Sequence, residues 1–591
     1  MAALFTTPKR NDNTSGAHFA KPDVRRRTLL AHGSWRRVTR RIVVGAVCAL
    51  TVSSLLMPSI SLAAEWVDVG GVRHEATAGP TGDAAGTWSW DGADDMKLNG
   101  YNGGAIEAAG KLNVSYEGNN TVTNDGGRGI KVRDGTNESA ELNIQGDASS
   151  TLNVTSSRDS IWSEGDINID GAGTVNATST ERDAIDAGGD VIIKGSGNVN
   201  ATGDSDGIRA DGNITIDNSG TVTAKATEDQ GIDANENLII KGGGKVEASS
   251  IEDEAIRADG NIEISGGSQV KASSEEDYAV KARGGLTVMN ASLDATGVGY
   301  GIYTYKGITL DGATVTVRAS SDGGEVIALY TDEDDIVIKN GSTVDALAEG
   351  RLSVAVSTRN YYSNDAGGHI YISDSVVKAV ARYAETGGDG PDHYSGDQDG
   401  EAIPESEGLN IGIFVQTYEG ITPATISIVR STVTAEGDTA AIFALAMSAD
   451  GKAIGIIEIK DAIIQTPAGG KVIDYRNKEE LSDGISYEAG QTIGTGDATI
   501  DSPYDAAVAK STVIASPEET KPEEKPGETK PEGSKSEGTK TTKTVAAVAT
   551  GVKTTGKLAA TGDASSAVVV ATAFAGTAAI AAGAVVSRKR S

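Results

Sequence analysis

The stretch from Gly207 to Ala226 reads GIRADGNITIDNSGTVTAKA, and the stretch from Ala255 to Ser274 reads AIRADGNIEISGGSQVKASS. Each unit holds three short runs in which apolar and polar residues alternate, and glycine, asparagine, aspartate or serine separates the runs. This alternation has the period of a half-buried strand, and the separating residues are typical of turns. Three strands and three turns in roughly 24 residues predict one coil of a parallel β-helix.

The unit recurs along the middle of the chain. Its first strand carries one apolar residue, the anchor, at intervals of 22 to 24 residues: Ile161, Ile185, Ile208, Ile232, Ile256, Val280 and Ile302. A leucine-rich repeat would show a leucine-rich consensus, and a propeller needs four strands per roughly 40–45 residues. We therefore predict an all-β fold, a right-handed parallel β-helix over residues 126–505, with the hand taken from the general rule for parallel crossovers.

The composition agrees with a solenoid. The 591 residues include 75 glycines, and aromatic residues make up 4%. Equivalent side chains of successive coils stack about 4.8 Å apart, so isoleucine and valine fill the interior without bulky rings. Asn213, Asn237 and Asn261 recur before the second strand and predict a stacked amide ladder. Residues 65–125 break the pattern with three tryptophans and are predicted to cap the first coil, since terminal repeats must differ; these are Trp66, Trp88 and Trp90.

Charge and cysteine content exclude several classes of protein. Lysine and arginine number 52 against 83 aspartates and glutamates, a net charge of −31. Nucleic-acid binding needs clustered basic residues, so this acidity argues against it. The only cysteine, Cys48, lies in a segment that we expect to be removed, which leaves no disulfide and no thiol nucleophile.

The N-terminal residues 1–64 resemble a secretory signal. Arginines precede an apolar run from Ile42 to Met57, and Ser61 and Ala63 supply the small residues of a cleavage site before Ala64. Cleavage before Glu65 and retention as a membrane anchor are the alternatives. The apolar run is short for a spanning helix.

The C-terminal end resembles the cell-wall sorting signals of Gram-positive surface proteins. The motif at 558–562, Leu-Ala-Ala-Thr-Gly, has an alanine where the LPxTG pentapeptide has proline, as in the LAxTG variant. A predicted transmembrane helix at 564–587 and a basic tail at 588–591 follow, an order in which the tail stays cytoplasmic. The resemblance implies that sortase cleaves between Thr561 and Gly562, recognises Leu558, and links Thr561 to peptidoglycan. A plain tail anchor is the alternative. Residues 506–557 are rich in proline, glutamate and lysine and are expected to form a disordered, extended stalk.

The predicted surface of the solenoid carries two sets of functional candidates. Reading the residue after each anchor gives Trp162, Asp186, Arg209, Asp233, Arg257, Lys281 and Tyr303. Alternating charges fit a ladder of ion pairs that fixes register, each pair worth about 0–1 kcal/mol. The aromatic ends suit sugar rings, so we predict carbohydrate contacts, with ordinary exposed aromatic residues as the alternative: Trp162, Tyr300, Tyr303 and Tyr305.

The turn before the first strand is acidic in successive coils. Carboxylates at coil spacing repel one another, and calcium relieves the repulsion because it accepts six to eight oxygens from flexible side chains. We predict calcium ligands here, with a solvated acidic edge as the alternative: Asp183, Asp206, Asp229, Asp253 and Asp277. A glycine-rich insertion at 389–401 carries a second acidic group that resembles part of a calcium loop, and a disordered loop is its alternative.

The two stretches quoted first resemble the bacterial carbohydrate-binding-domain family of secreted β-helices, whose fold is similar to that of pectate lyases. The resemblance covers residues 126–345 well. It implies calcium on acidic turns and affinity for acidic or plant-type polysaccharides. Because β-helix repeats look alike across unrelated families, the resemblance predicts the fold more firmly than the ligand.

Three functions remain open from the sequence. The first is a wall-anchored, calcium-dependent binder of polysaccharide, and the second is an adhesin that uses the rod to present a surface to host protein. The third is a polysaccharide lyase, for which Arg257, Lys281 and Arg283 lie near the acidic turns. A catalytic base should interrupt the repeat, whereas Arg257 and Lys281 follow it, so we expect a binder and no enzyme.

Overall fold

The computed structural model describes residues 64–515 except 137–138, 322, 361–367, 385–409, 419–423, 438–439, 448–454, 461–462, 466–469, 477–479, 488–497, 503–504 and 509–510. The chain winds through three sheets in turn, and each sheet gains one strand per coil. Most neighbouring strands within a sheet are parallel and in register, which confirms the predicted right-handed parallel β-helix.

The first sheet contains the anchors and, further along the chain, the longest strands. Its strands are Trp66–Val69, Val72–Glu75, Ile106–Ala109, Ile130–Arg133, Ile161–Ser163, Ile185–Ala187, Ile208–Ala210, Ile232–Ala234, Ile256–Ala258, Val280–Ala282, Tyr300–Thr304, Glu325–Thr331, Leu352–Asn360, Asn410–Tyr418, Ala440–Met447, Gly470–Arg476, Glu480–Tyr487 and Asp505–Val508.

The second sheet follows the first after a short turn in each coil. Its strands are Thr81–Gly82, Trp88–Trp90, Asp95–Asn99, Lys111–Glu117, Glu141–Gly146, Asp166–Gly171, Val191–Gly195, Ile214–Asn218, Leu238–Lys241, Ile262–Ile264, Leu286–Met289, Ile308–Asp311, Ile336–Lys339, Ile370–Ser373, Ala424–Val429, Gly455–Lys460 and Ala498–Ser502.

The third sheet closes each coil. Its strands are Asn102–Gly103, Asn119–Asn124, Thr151–Ser156, Thr174–Ser179, Asn198–Thr202, Thr221–Lys225, Lys245–Ser250, Gln269–Ser274, Ser292–Val298, Thr314–Ser320, Thr343–Glu349, Val376–Arg382, Thr432–Glu436, Ile463–Gln465 and Ser511–Ala515. One 3-10 turn, Ala76–Ala78, interrupts the strands near the start.

The core is a continuous stack of aliphatic side chains inside the coils. Ile185 pairs with Ile208, and Ile208 with Ile232, each fully buried. The small residue before the anchor is required by close packing between coils, because a Cβ on Gly207 would stand 2.6 Å from the carbonyl oxygen of Gly231. The spacing of the anchors therefore predicted the core residues correctly.

The predicted amide ladder is present, with a difference in its donors. Asn237 donates through Nδ2 to Oδ1 of Asn213 at 3.0 Å. Further along, the backbone N–H of Asn261 donates to Oδ1 of Asn237, and that of Gly285 to Oδ1 of Asn261, both at 2.9 Å. The asparagine oxygens thus pair with backbone donors at the turn, which stabilises the bend between the first and second strands.

Antiparallel pairs occur at both ends of the parallel ladders. Trp66–Val69 pairs antiparallel with Val72–Glu75, whereas parallel pairing in the second sheet begins at Asp95–Asn99. The sequence prediction placed the cap at 65–125 and the end of the solenoid near residue 505. Parallel pairing reaches Gly455–Lys460, and the pairs described after it are antiparallel.

Several predicted segments lie outside the described residues. These are the signal segment up to residue 63, the acidic insertion at 389–401, the stalk from residue 516, the sorting motif, the transmembrane helix and the basic tail. Within the part of the chain that the structure describes, no helix has the length and apolar character needed to cross a membrane.

Candidate functional site

The residue after each anchor points outward from the first sheet and forms a continuous column. Strand register pairs Trp162 with Asp186, Asp186 with Arg209, and so on to Tyr303. This outward column confirms the order that the repeat spacing predicted. The column continues beyond it to Tyr330, Ser357, Phe414 and Phe443.

The charged part of the outward column is a set of ion pairs. Arg209 Nη1 lies 3.0 Å from Asp186 Oδ1, and its Nη2 lies 2.8 Å from Asp211 Oδ1. Two coils further on, Arg257 repeats this pattern. Its Nη1 lies 3.5 Å from Asp233 Oδ1, and its Nη2 lies 2.9 Å from Asp259 Oδ1. Both arginines are at least a quarter exposed whereas the carboxylates of Asp186 and Asp233 are largely buried, so each pair lies at the border between solvent and the sheet surface.

The five predicted calcium ligands do not form one column. Asp183 and Asp206 stand two residues before their anchors, whereas Asp229, Asp253 and Asp277 stand three residues before theirs. Backbone hydrogen bonds between coils agree, since Ala184 N–H donates to the carbonyl of Asp206. Asp206 and Asp229 are 23 residues apart whereas the anchors Ile208 and Ile232 are 24 apart, so counting acidic residues within the turn mixed two adjacent columns.

The turn column, defined as the residues two before each anchor, contains residues that sequence reasoning missed. It reads Asp159, Asp183, Asp206, Gln230, Glu254, Tyr278 and Tyr300. Counting back from the anchors, rather than searching the turns for acidic residues, would have found Asp159, Glu254 and Tyr278.

The first acidic cluster lies at the start of the turn column. Carboxylate oxygens of Asp159, Asp183 and Asp186 lie within 4.8 Å of one another. Arg128 Nε is 2.5 Å from Asp159 Oδ2, and Arg209 approaches Asp186 as described above. The surrounding pocket is completed by Arg158, Arg182, Ser205, Asp206 and Asp229. Five carboxylates therefore face four arginines.

Burial and mutual repulsion weaken these acids. Burial, followed by the charge of Asp183, raises the pKa of Asp206 to about 9 and that of Asp186 to about 7. Burial also raises the pKa of Asp183 itself. The pocket consequently favours the protonated form of Asp206 at neutral pH.

The second acidic cluster begins three coils beyond Asp186. Oxygens of Asp253, Glu254 and Asp277 lie within 4.8 Å of one another, and Glu254 is buried. The Lys281 ammonium contacts Glu254, and Gln230 Nε2 donates to the same carboxylate at 3.0 Å. Burial raises the pKa values of Glu254 and Asp277. Here three acids face one lysine.

A tyrosine cluster occupies the next coils on the same side. It joins three predicted residues, Tyr300, Tyr303 and Tyr305, to two that were missed, Tyr278 and Tyr330, with ring centroids 4.9 to 5.6 Å apart. The hydroxyls of Tyr303 and Tyr330 donate to Asp332 at 3.1 and 2.7 Å, and that of Tyr300 donates to Glu325 at 3.3 Å.

These contacts hold the rings while leaving part of the cluster accessible. Tyr305 is 37% exposed, Tyr303 is partly buried, and Tyr330 is buried. Burial raises the pKa values of Tyr278, Tyr300 and Tyr303 above their ordinary range, so the rings stay neutral at physiological pH. The result is a fixed aromatic surface with one open side.

Trp162, the fourth predicted carbohydrate residue, does not join the tyrosines. Six strand steps separate it from Tyr303, which at about 4.8 Å per step is roughly 29 Å. The guanidinium of Arg128 lies 4.0 Å from the centre of its ring and connects it to Asp159. Trp162 therefore borders the first acidic cluster.

The remaining candidates divide into two groups. The sorting residues Leu558, Thr561 and Gly562 lie outside the described residues. The basic residues weighed for lyase chemistry are engaged in ion pairs: Lys281 with Glu254, and Arg257 and Arg283 with Asp259.

Comparison with known proteins bears on the same part of the chain. No curated protein and no solved structure is significantly similar to it. One family model matches a segment that holds both acidic clusters and all five tyrosines, in agreement with the resemblance inferred from the repeats. Residues 119–346 match the model of a family described as carbohydrate-binding domain-containing protein.

Proposed function

We propose that this protein is a surface protein whose β-helix binds carbohydrate at the tyrosine cluster. The observation that carries the proposal is the fixed group of five tyrosines, open to solvent at Tyr305, inside the segment that matches a carbohydrate-binding family. Aromatic faces pack against the C–H groups of sugar rings, and rings that are already fixed lose little conformational entropy on binding.

Calcium is proposed at the second acidic cluster. Three carboxylates with oxygens within 4.8 Å of one another match the ligands that calcium prefers, and among the described residues Lys281 is the one ion-pair partner that they have. The first acidic cluster is nearly balanced by its four arginines, so its predicted ligands Asp183 and Asp206 fit calcium less well. Asp253, Glu254 and Asp277 are the ligands of this proposal.

The proposed calcium site and the proposed sugar-binding surface are adjacent along the stack of coils. Tyr278 follows Asp277 directly, and its ring lies 5.6 Å from that of Tyr303. A calcium ion on Asp277 would present positive charge beside the rings. We therefore propose acidic polysaccharides, including plant-type ones, as the ligand class.

Anchoring and the absence of turnover complete the proposal. The sorting motif at 558–562 would place the β-helix outside the cell on a stalk, after export and cleavage by sortase, with peptidoglycan linked to Thr561. Binding without cleavage is proposed because the basic residues near the acidic turns serve the ion-pair ladder.

Competition tests this function against the adhesin alternative. Retention of the full-length protein on immobilised polysaccharide should be reversed by soluble fragments of the same polysaccharide, with no unsaturated uronate released. Retention on protein-coated surfaces that no glycan reverses would instead support the adhesin. Release of unsaturated product would identify a lyase.

A further inference from the structure

One face of the third sheet differs chemically from the rest of the molecule. Four consecutive strands place twelve side chains outward, and all twelve are threonine or asparagine: Asn119, Thr121, Thr123, Thr151, Asn153, Thr155, Thr174, Asn176, Thr178, Asn198, Asn200 and Thr202. This Thr/Asn face holds no charge and no ring, although 23% of the chain is charged. Outward positions of the other two sheets in the same coils include Lys131, Glu141 and Asp186.

The face is a lattice in register. Strand pairing places its residues in three columns, and the central column reads Thr121, Asn153, Asn176 and Asn200. Positions repeat about every 4.8 Å between strands and about every 6.6 Å along a strand. Charged residues end the lattice in the next two strands, where Lys225 continues the column of Thr202 and then Lys245 and Glu247 occupy the other two columns.

The asparagines of the central column are fixed by one another. Asn176 Nδ2 donates to Oδ1 of Asn153, and Asn200 Nδ2 donates to Oδ1 of Asn176, both at 2.8 Å. Each amide group keeps a second N–H and a second lone pair for a ligand. The ladder of asparagine amides therefore presents hydrogen-bond donors and acceptors at the regular spacing between strands, and threonine hydroxyls lie in the columns on both sides.

The dimensions of the face restrict its partner. Its area is on the order of 300 Å² from the strand spacings, below the roughly 800 Å² per partner of a stable protein interface. Without a ring or a charge, each contact is a weak hydrogen bond, so useful affinity needs a ligand that repeats along the lattice. A repeating neutral polymer meets both conditions.

We infer that the Thr/Asn face binds an extended polymer of N-acetylated hexosamines. Its acetamido groups are neutral and carry one N–H and one C=O each, the pair that the asparagine ladder leaves unfilled. The inference rests on the proposed carbohydrate-binding function but assigns a surface separate from the tyrosine cluster.

The test compares chitin with cellulose, which has the same backbone linkage and lacks the acetamido group. We expect the full-length protein, assayed in chelator and high salt, to be retained at least tenfold more strongly on chitin. Asn200→Lys and Thr155→Lys change exposed positions of the face. Each should raise the protein concentration needed for half-saturation of chitin about tenfold. Thr316→Lys lies in the same column beyond the lattice, between Asp294 and Asp345, and should retain binding.

The outcomes separate the inference from the proposed function. Equal retention on cellulose and chitin, or loss of chitin binding with Tyr305→Ala while Asn200→Lys binds normally, would overturn the inference and leave carbohydrate binding in place. Adsorption to ice that Asn200→Lys abolishes, without retention on chitin, would also overturn it. Failure to bind any glycan would remove the proposed function as well.

Discussion

The backbone N–H of Asp206 donates a 3.0 Å hydrogen bond to Oδ1 of Asp183 in the preceding coil. Both residues are buried, and Oδ1 of Asp206 in turn accepts from the backbone N–H of Gln230 at 2.8 Å. The carboxylates of the first acidic cluster thus satisfy backbone donors in addition to any role with cations, and the two roles respond differently to substitution.

Replacing Asp183 separates hydrogen bonding from charge. Asp183→Ala leaves the buried N–H of Asp206 without an acceptor and should lower the free energy of unfolding by about 1–3 kcal/mol. Asp183→Asn keeps an acceptor oxygen and removes a repelled charge, so its unfolding free energy should stay within about 1 kcal/mol of the native value. Denaturant titration measures both. Equal losses for the two variants would show that the charge, rather than the acceptor, matters.

The stability of the calcium-free protein should fall as pH rises from about 5 to 9. The pKa of Asp206 is raised to about 9 and that of Asp186 to about 7, so the folded state retains protons that the unfolded state releases above pH 4. Acids with lowered pKa values, such as Asp147, lose their contribution only below this window. Thermal unfolding in chelator measures the slope.

Asp206→Asn provides the control for that slope, because it removes the most strongly shifted acid and keeps the acceptor for Gln230. The melting temperature of this variant should depend less on pH between 5 and 9. A native protein whose melting temperature rises across this range would contradict the assignment.

Calcium should stabilise the protein through the second acidic cluster. At a hundred times its dissociation constant, calcium adds about 2.7 kcal/mol to the free energy of unfolding. Asp253→Asn and Asp277→Asn should each abolish most of this gain, while Asp183→Asn should preserve it. Calorimetric titration and melting curves with and without chelator provide the measurement. A gain that survives both cluster substitutions but is lost with Asp183→Asn would place the ion in the first acidic cluster.

Tyr305, the exposed member of the tyrosine cluster, should contribute to glycan affinity but little to the stability of the fold. Tyr305 is 37% exposed, so Tyr305→Ala should weaken glycan binding about tenfold, or about 1.4 kcal/mol, and leave the melting temperature nearly unchanged. Tyr371 is 36% exposed on the second sheet and provides a matched control. Equal effects of Tyr305→Ala and Tyr371→Ala on binding would argue against the tyrosine cluster as the site.

The fold was predictable because its signal is local and repeated. Each anchor, such as Ile208, sits in an alternating run, and seven anchors at nearly constant spacing leave one stacking register. The order of the outward column followed directly from that register. The same regularity predicted the asparagine ladder at Asn213, though not that backbone N–H groups would be its main donors.

The site was only partly predictable because the turns and the later coils follow the repeat less strictly than the anchors do. The acidic residue of the turn moves by one position relative to the anchor between two successive coils, so Asp206 and Asp229 were placed in one column although they occupy two. Tyr330 follows Leu329, which pairs with Ile302 although it lies 27 residues later, outside the constant period. The contact between Tyr330 and Tyr303 therefore depends on how that longer coil is accommodated.

The most direct test of the central claim is retention of the full-length protein on a panel of neutral and acidic polysaccharides, measured with calcium and with chelator. We predict retention on acidic polysaccharides that requires calcium, is weakened by Tyr305→Ala and Asp277→Asn, and releases no product. Absence of retention on every glycan, with calcium present and the protein folded, would contradict the claim and return the tyrosines and the acidic clusters to a purely structural role.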